Sequence, residues 1–156
     1  MQPIIPTDCF YYLISRATLT ATSVIKRELA AAGVEQVSPA YLGVLMTLWN
    51  ADGLGALELG RGAGVEPSTV TGLLDRMERD GLLARQPDPD DRRAQRICLT
   101  ELGQRLRQPV LSVVDEVLGR ATSGFSEQEL STSKNFLRQF LANMQEERRG
   151  THGQQG

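Results

Sequence analysis

Apolar side chains recur near a helical period over the first long segment, Thr7 to Ala32, at Phe10, Leu13, Ile14, Ala17, Ala21, Val24, Ile25 and Leu29. That spacing predicts a long helix, which Gly33 stops in a left-handed cap. Ser38 then offers an N-cap with Pro39 at the first helical position. Tyr41, Leu42, Val44, Leu45, Leu48 and Trp49 supply the wide buried stripe of a second helix running to about Ala51. The following glycines read as a turn, a short helix from Ala56 to about Ala63, and a second turn at Gly64. Gly60 and Gly62 each weaken that short helix by about 1 kcal/mol relative to alanine, so tertiary packing must hold it.

The next helix is well marked, with Glu66 before Pro67 at its start and Gly81 at its end. Val70, Leu73, Leu74 and Met77 fall at i, i+3, i+4 and i+7, which is one buried face. Ser68, Thr71, Gly72, Asp75, Arg76 and Arg79 must then look outward, with Thr69 at the flank. A short helix, a glycine turn and a helix presenting small hydroxyls and arginines form the pattern of a helix-turn-helix. Leu82 to Gln86 and Gln95 to Leu99 read as two short strands, the second alternating across two faces. Thr100 caps a long helix bearing Leu102, Leu106, Val110, Val113, Val114, Val117 and Leu118, in which Pro109 removes the hydrogen bond to the Arg105 carbonyl and predicts a kink. Ser126 and Glu129 form a capping box for a last helix with Leu130, Phe136, Leu137, Phe140, Leu141 and Met144 inward, followed by a frayed polar tail.

These elements predict a mainly α (α+β) fold, one domain over residues 1–156. A length of 156 residues is enough to bury a core without metals or disulfides, and no apolar run approaches the roughly 18 residues of a membrane helix. No secretory pattern opens the chain, so the cytoplasm is expected, without a membrane partner. Cys9 and Cys98 are too few for a metal cluster, and the one histidine, His152, sits in the polar tail, so neither metal nor cofactor is expected. The glycines of residues 53–64 do not follow a β-branched strand and lack G-x-G-x-x-G spacing, which removes a nucleotide loop. No nucleophile with a base and no carboxylate dyad stands out, so the chain is not expected to be an enzyme.

Charge changes the picture. The net charge of −2 argues against a phosphate partner, yet Arg92, Arg93, Arg96, Arg105 and Arg107 stand against the single acid Glu101 between residues 92 and 107. Such a local field attracts an anion while the whole molecule stays acidic. Between the two strands, Pro87 and Pro89 stiffen the tip, and Asp88 and Asp91 can accept local amides and pair with guanidinium groups as a brace. A stiff ribbon carrying an extended arginine suits a narrow minor groove, so the hairpin is read as a wing beside the recognition helix.

The run VEPSTVTGLLDRMERDGLLARQPDPDDRRAQRICLTELG resembles the recognition helix and wing of the MarR family of bacterial transcriptional regulators, with Asp88-Pro89-x-Asp91-Arg92-Arg93-Ala94 and Leu99-Thr100-x-x-Gly103 as its most specific parts. The resemblance implies a homodimer on a palindromic site in double-stranded DNA, with dimerisation helices in 1–35 and 104–149, a winged helix in 36–103 and a tail in 150–156. It implies Arg92 in the minor groove and Arg93 with Asp91 as the brace, the two arginines being interchangeable in these roles. Ser68, Thr69 and Thr71 match hydroxyl residues that touch phosphates or base edges, and Arg76 matches a phosphate contact. Many relatives carry an arginine where this chain has Gly72, so readout here should lean on the hydroxyls, the wing and DNA shape.

Relatives respond to small aromatic or phenolic effectors, which makes Tyr11, Tyr12, Tyr41, Trp49 and the Pro109 region pocket candidates, although aromatics at helical spacing are core residues first. Cys9 opens the first helix as the reactive cysteine does in the peroxide-sensing branch. The tyrosines that hold that cysteine are matched here by Thr22 and Ser38, so a buried, inert thiol is preferred. The leading expectation is a ligand-responsive repressor. The alternatives are peroxide sensing through Cys9, and a winged-helix module for protein contact alone, which gives the arginines no use and needs a catalytic domain for which the chain has no length left.

Overall fold

The computed structural model describes residues 5–91 and 93–152; Arg92 lies outside the described residues. A 3-10 turn, Pro6–Asp8, leads into α1, Phe10–Ala31, whose end is closed by Gly33 at φ 72°. Ser38 accepts the Ala40 amide and Pro39–Tyr41 form a 3-10 turn, after which α2 runs Leu42–Asn50. Then come β1, Leu54–Gly55; α3, Ala56–Ala63; α4, Pro67–Arg79; β2, Leu83–Pro87; β3, Gln95–Leu99; α5, Glu101–Arg105; α6, Arg107–Ala121; and α7, Glu127–His152. Contacts group the chain into two compact units, Met1–Val117 and Leu118–Gly156.

In the first unit α1, α2, α3 and α4 enclose one core around Leu29, Leu45, Leu48, Leu59, Leu74 and Met77, joined by Leu82, Leu83 and Ile97 from the hairpin region. The expected inner face of α4 is the observed one, since Val70, Leu73, Leu74 and Met77 are all buried. The sheet has order β1-β3-β2 and is antiparallel throughout. Its first strand was not expected. Only two residues pair, Leu54 with Ile97 and Gly55 with Arg96, too short a stretch for alternation to register. Asp52 fixes the pairing, accepting both the Gly53 amide and the Leu99 amide at 2.9 Å. Pro87 extends β2 by one residue beyond the expected end, which the sheet tolerates because β2 is an edge strand.

Of the glycines that resemble a phosphate loop, Gly60 and Gly62 are packing residues. A Cβ on Gly60 would stand 2.6 Å from Val70 Cγ2, one on Gly62 2.8 Å from Thr47 Cγ2, and one on Gly43 2.8 Å from the Ala63 carbonyl oxygen. Only bare backbone lets α3 lie this close to α2 and α4, which is the tertiary support its poor helix propensity requires. The helix expected to run on from Thr100 is interrupted at Leu106, next to the Arg105 carbonyl that Pro109 leaves without its usual donor.

The second unit holds the end of α6 and α7. Its capping box is made as expected: the Ser126 amide donates to Glu129 Oε2 at 2.8 Å and the Glu129 amide donates to Ser126 Oγ at 3.3 Å. The Ser126 bonds hold the Glu129 carboxyl below its ordinary pKa. Two expectations are corrected here. The tail is helical as far as His152, with 153–156 outside the described residues. Phe136, Leu137, Leu141 and Met144 are exposed rather than inward, because a single helix of this unit has too little partner surface within the chain to cover them.

Candidate nucleic-acid interface

α3 and α4 are joined by Gly64 in the left-handed region at φ 66°, so the second helix leaves the first through a tight turn. The face of α4 opposite the core carries Ser68, Thr69, Thr71, Gly72, Asp75, Arg76 and Arg79, all exposed. Small side chains occupy its first half and cations its second. Pro67 at the first helical position needs no amide partner, which leaves the start of α4 clean for close approach.

The wing is tied to α4 by a residue that carried no expectation, Arg85 in β2. Its Nη2 donates to Asp75 Oδ1 at 2.6 Å, its Nη1 to Glu78 Oε2, and its backbone amide to Glu78 Oε1 at 3.2 Å. Two carboxylates hold the guanidinium charged, raising its pKa despite the desolvation that opposes this. The clamp also sets one positive charge against the two acids that α4 would otherwise turn toward a polyanion. No local sequence signal links residues 75, 78 and 85, since the turn at Gly81, φ 74°, is what folds the strand back along the helix.

At the wing tip, Asp88 Oδ1 accepts the Asp90 amide at 2.8 Å and the Asp91 amide at 3.3 Å. Its other oxygen accepts Arg96 Nε at 2.7 Å, and Arg96 Nη2 reaches Asp90 Oδ2 at 3.2 Å. These bonds, the Arg96 side chain first, hold the Asp88 carboxyl below the usual aspartate range and Arg96 above its own. Among the described residues, the guanidinium that pairs with Asp88 is that of Arg96, a residue for which no brace was expected. Asp91 does brace the tip, but through the Arg93 backbone amide at 2.9 Å. The Arg93 residue is exposed at the tip, and Arg92 beside it lies outside the described residues.

The aromatic candidates separate into two environments. Tyr11 and Tyr12 are exposed on α1, whereas Tyr41 and Trp49 are core residues. Trp49 Nε1 donates to the Gly103 carbonyl at 3.0 Å, and Tyr41 Oη donates to Asp80 Oδ2 at 2.7 Å. Burial and then the Asp80 bond raise the Tyr41 pKa, partly offset by the nearby Arg76 cation. Core packing is thus the role the structure gives to these two. Pro109 is half-buried in the first turn of α6. Cys9 is half-buried at the N-cap of α1, and Cys98 is half-buried in β3 with its thiol pKa raised, chiefly by burial.

The sequence profile of the MarR family matches residues 37–94, which run from just ahead of the Pro39–Tyr41 turn to the wing tip. A transcriptional activatory protein, BadR of Rhodopseudomonas palustris, is 34% identical over 123 residues, covering 76% of this chain and 68% of its own. The chain belongs to the MarR family. Among solved structures, CouR of Rhodococcus jostii RHA1 bound to p-coumaroyl-CoA superposes on this MarR-family chain with a TM-score of 0.74 at 27% identity, covering 89% of this chain and 96% of that one. An organic hydroperoxide resistance transcriptional regulator of Bacillus subtilis is 33% identical over 81 residues, 52% of this chain and 54% of that protein. The fold is the winged helix of MarR proteins, and the chain is a DNA-binding transcriptional regulator. Among the described residues no helix is long and apolar enough to cross a membrane.

Proposed function

We propose that this MarR-family regulator is a ligand-responsive repressor that binds a palindromic operator as a homodimer, with α4 in the major groove and the β2–β3 wing at the adjoining minor groove. The observation that carries the reading is the Arg85 clamp on Asp75 and Glu78, which locks α4 and the wing into one rigid reader while its single positive charge offsets part of the negative charge of the two acids. Ser68, Thr69 and Thr71 then meet phosphates or base edges from the first turns of α4. Arg92 enters the minor groove from the tip that Arg96 and Asp88 stiffen, and Arg93 flanks it. Exposed apolar residues on α1 (Phe10, Tyr11, Leu13, Leu19), and separately on α7 (Phe136, Leu137, Leu141, Met144), support a dimer that covers them.

An aromatic or phenolic effector is supported by the phenolic thioester in the CouR structure. Tyr11 and Tyr12 are the aromatic candidates left free to meet it, since Tyr41 and Trp49 are committed to the core. The test is fluorescence anisotropy with labelled duplex from upstream of the protein's own gene, titrated across salt concentrations. A steep linear fall of log affinity with log salt is expected from phosphate contacts and counterion release. Arg92→Ala is expected to weaken binding at least about tenfold while leaving the oligomeric state unchanged. Absent or salt-independent binding refutes the reading in favour of a protein-contact module, and a promoter reporter decides repression against the activation named for the R. palustris relative.

A further inference from the structure

We infer that Arg76 is a base-reading residue of α4, its guanidinium reaching a guanine along the bare backbone at Gly72; this rests on the DNA-binding reading above. Gly72 is exposed in the middle of α4, and the atom nearest to a Cβ built there is Arg76 Nη1, at 3.8 Å. The Arg76 side chain therefore lies back over the preceding turn, as helical side chains lean toward the N-terminus. N-terminal to it the outer face carries Ser68, Thr69, Thr71 and the hydrogen of Gly72. The result is a shallow floor with one long cationic side chain at its Gly72 end. The first half of a recognition helix is the part that meets base edges, so a guanidinium drawn back against Gly72 stands at the edge of the region where bases are read.

The neighbouring charges fit this role. Asp75 and Glu78 are both engaged by Arg85, and Asp80 accepts the Tyr41 hydroxyl at 2.7 Å, so the carboxylates on this stretch already have other partners. The five N–H donors of the Arg76 guanidinium are enough for a bidentate contact. Guanine presents O6 and N7 as the acceptor pair that matches that fork. A side chain and its missing neighbour thus form one device. Gly72 contributes the space, and Arg76 contributes the chemistry.

The experiment is selection from a duplex library with a randomised core, run with the wild type, Arg76→Gln and Gly72→Leu, each checked for a cooperative melt. The wild type is expected to enrich a twofold-symmetric motif with a fixed guanine in each half-site. Arg76→Gln is expected to keep the rest of the motif while its guanine preference at that one position falls about tenfold or more, shifting toward adenine. Gly72→Leu, which leucine's better helix propensity should keep folded, fills the space and is expected to lose the same preference with Arg76 still present. If Arg76→Gln weakens binding equally on all sequences and the motif is unchanged, Arg76 is a phosphate contact and the inference is overturned while the DNA-binding reading stands. If the wild type enriches no motif, that reading fails first.

Discussion

Gly103 is the point where the start of α5, the turn after α4 and α2 meet, and among the described glycines it is the one where an added methyl should do most damage. The added Cβ would lie 2.1 Å from the Leu82 carbonyl oxygen and 3.1 Å from Leu99 Cδ2. The carbonyl cannot swing away freely, because it accepts the Thr100 amide at 3.1 Å, and Thr100 Oγ1 in turn donates to the Gly81 carbonyl at 2.6 Å. Overpacking against backbone costs about 1–3 kcal/mol. Displacing α5 also strips the buried Trp49 Nε1 of its acceptor at Gly103, about 1–3 kcal/mol more. Alanine returns about 1 kcal/mol of helix propensity, leaving a net loss of about 3 kcal/mol. For a chain of this size that is a fall in Tm of roughly 6–12 °C by circular dichroism at one fixed protein concentration. The same substitution at Gly72, whose nearest neighbour would be Arg76 Nη1 at 3.8 Å, should raise Tm by roughly 1–4 °C. A Gly103→Ala melt indistinguishable from wild type would refute the argument, since it requires the Leu82 backbone to yield at no cost.

Arg85→Ala should cost about 1 kcal/mol of stability, as partly exposed ion pairs do, yet lower DNA affinity by more than its stability loss implies, because α4 and the wing no longer hold one spacing; equal losses in anisotropy and melting would oppose this. Arg96→Ala should loosen the wing tip, visible as faster amide exchange at Asp90 and Asp91, whose amides Asp88 accepts. The Asp88 carboxyl has a lowered folded-state pKa, so its contribution is fully present above the ordinary aspartate pKa and is lost as pH falls through that lowered value; tip protection, meaning exchange measured against the intrinsic amide rate at each pH, should therefore stay constant from neutral pH down to about pH 5 and fall at lower pH. Alkylation of Cys98 should be slower in the folded than in the unfolded protein at pH about 8, because its raised pKa keeps the thiol neutral, and the gap should narrow as pH rises. Mass spectrometry after dilute organic hydroperoxide should find Cys9 unmodified and DNA binding intact, while an adduct accompanied by release of DNA would restore redox sensing.

Local chemistry made most of the secondary structure legible from the residues alone. Ser38-Pro39, Pro67, Thr100 and the Ser126–Glu129 box mark helix starts, Gly33, Gly64 and Gly81 mark ends, and the spacing of Val70, Leu73, Leu74 and Met77 sets which face of α4 is buried. Those signals act within a turn or two of chain, so the order of elements and the outward hydroxyls and arginines followed from them. What tertiary structure alone decided involves partners distant in sequence. The pairing of Leu54 with Ile97 made a third strand, and the approach of α3 to Val70 and Thr47 explained glycines that otherwise resemble a phosphate loop. Arg96 pairs with Asp88 at the tip because strand register sets it there, and Arg85 found Asp75 and Glu78 only because the chain reverses at Gly81. Periodicity tells which side chains share a face, but the neighbour each one meets is settled by packing between elements, where distance along the chain carries no information.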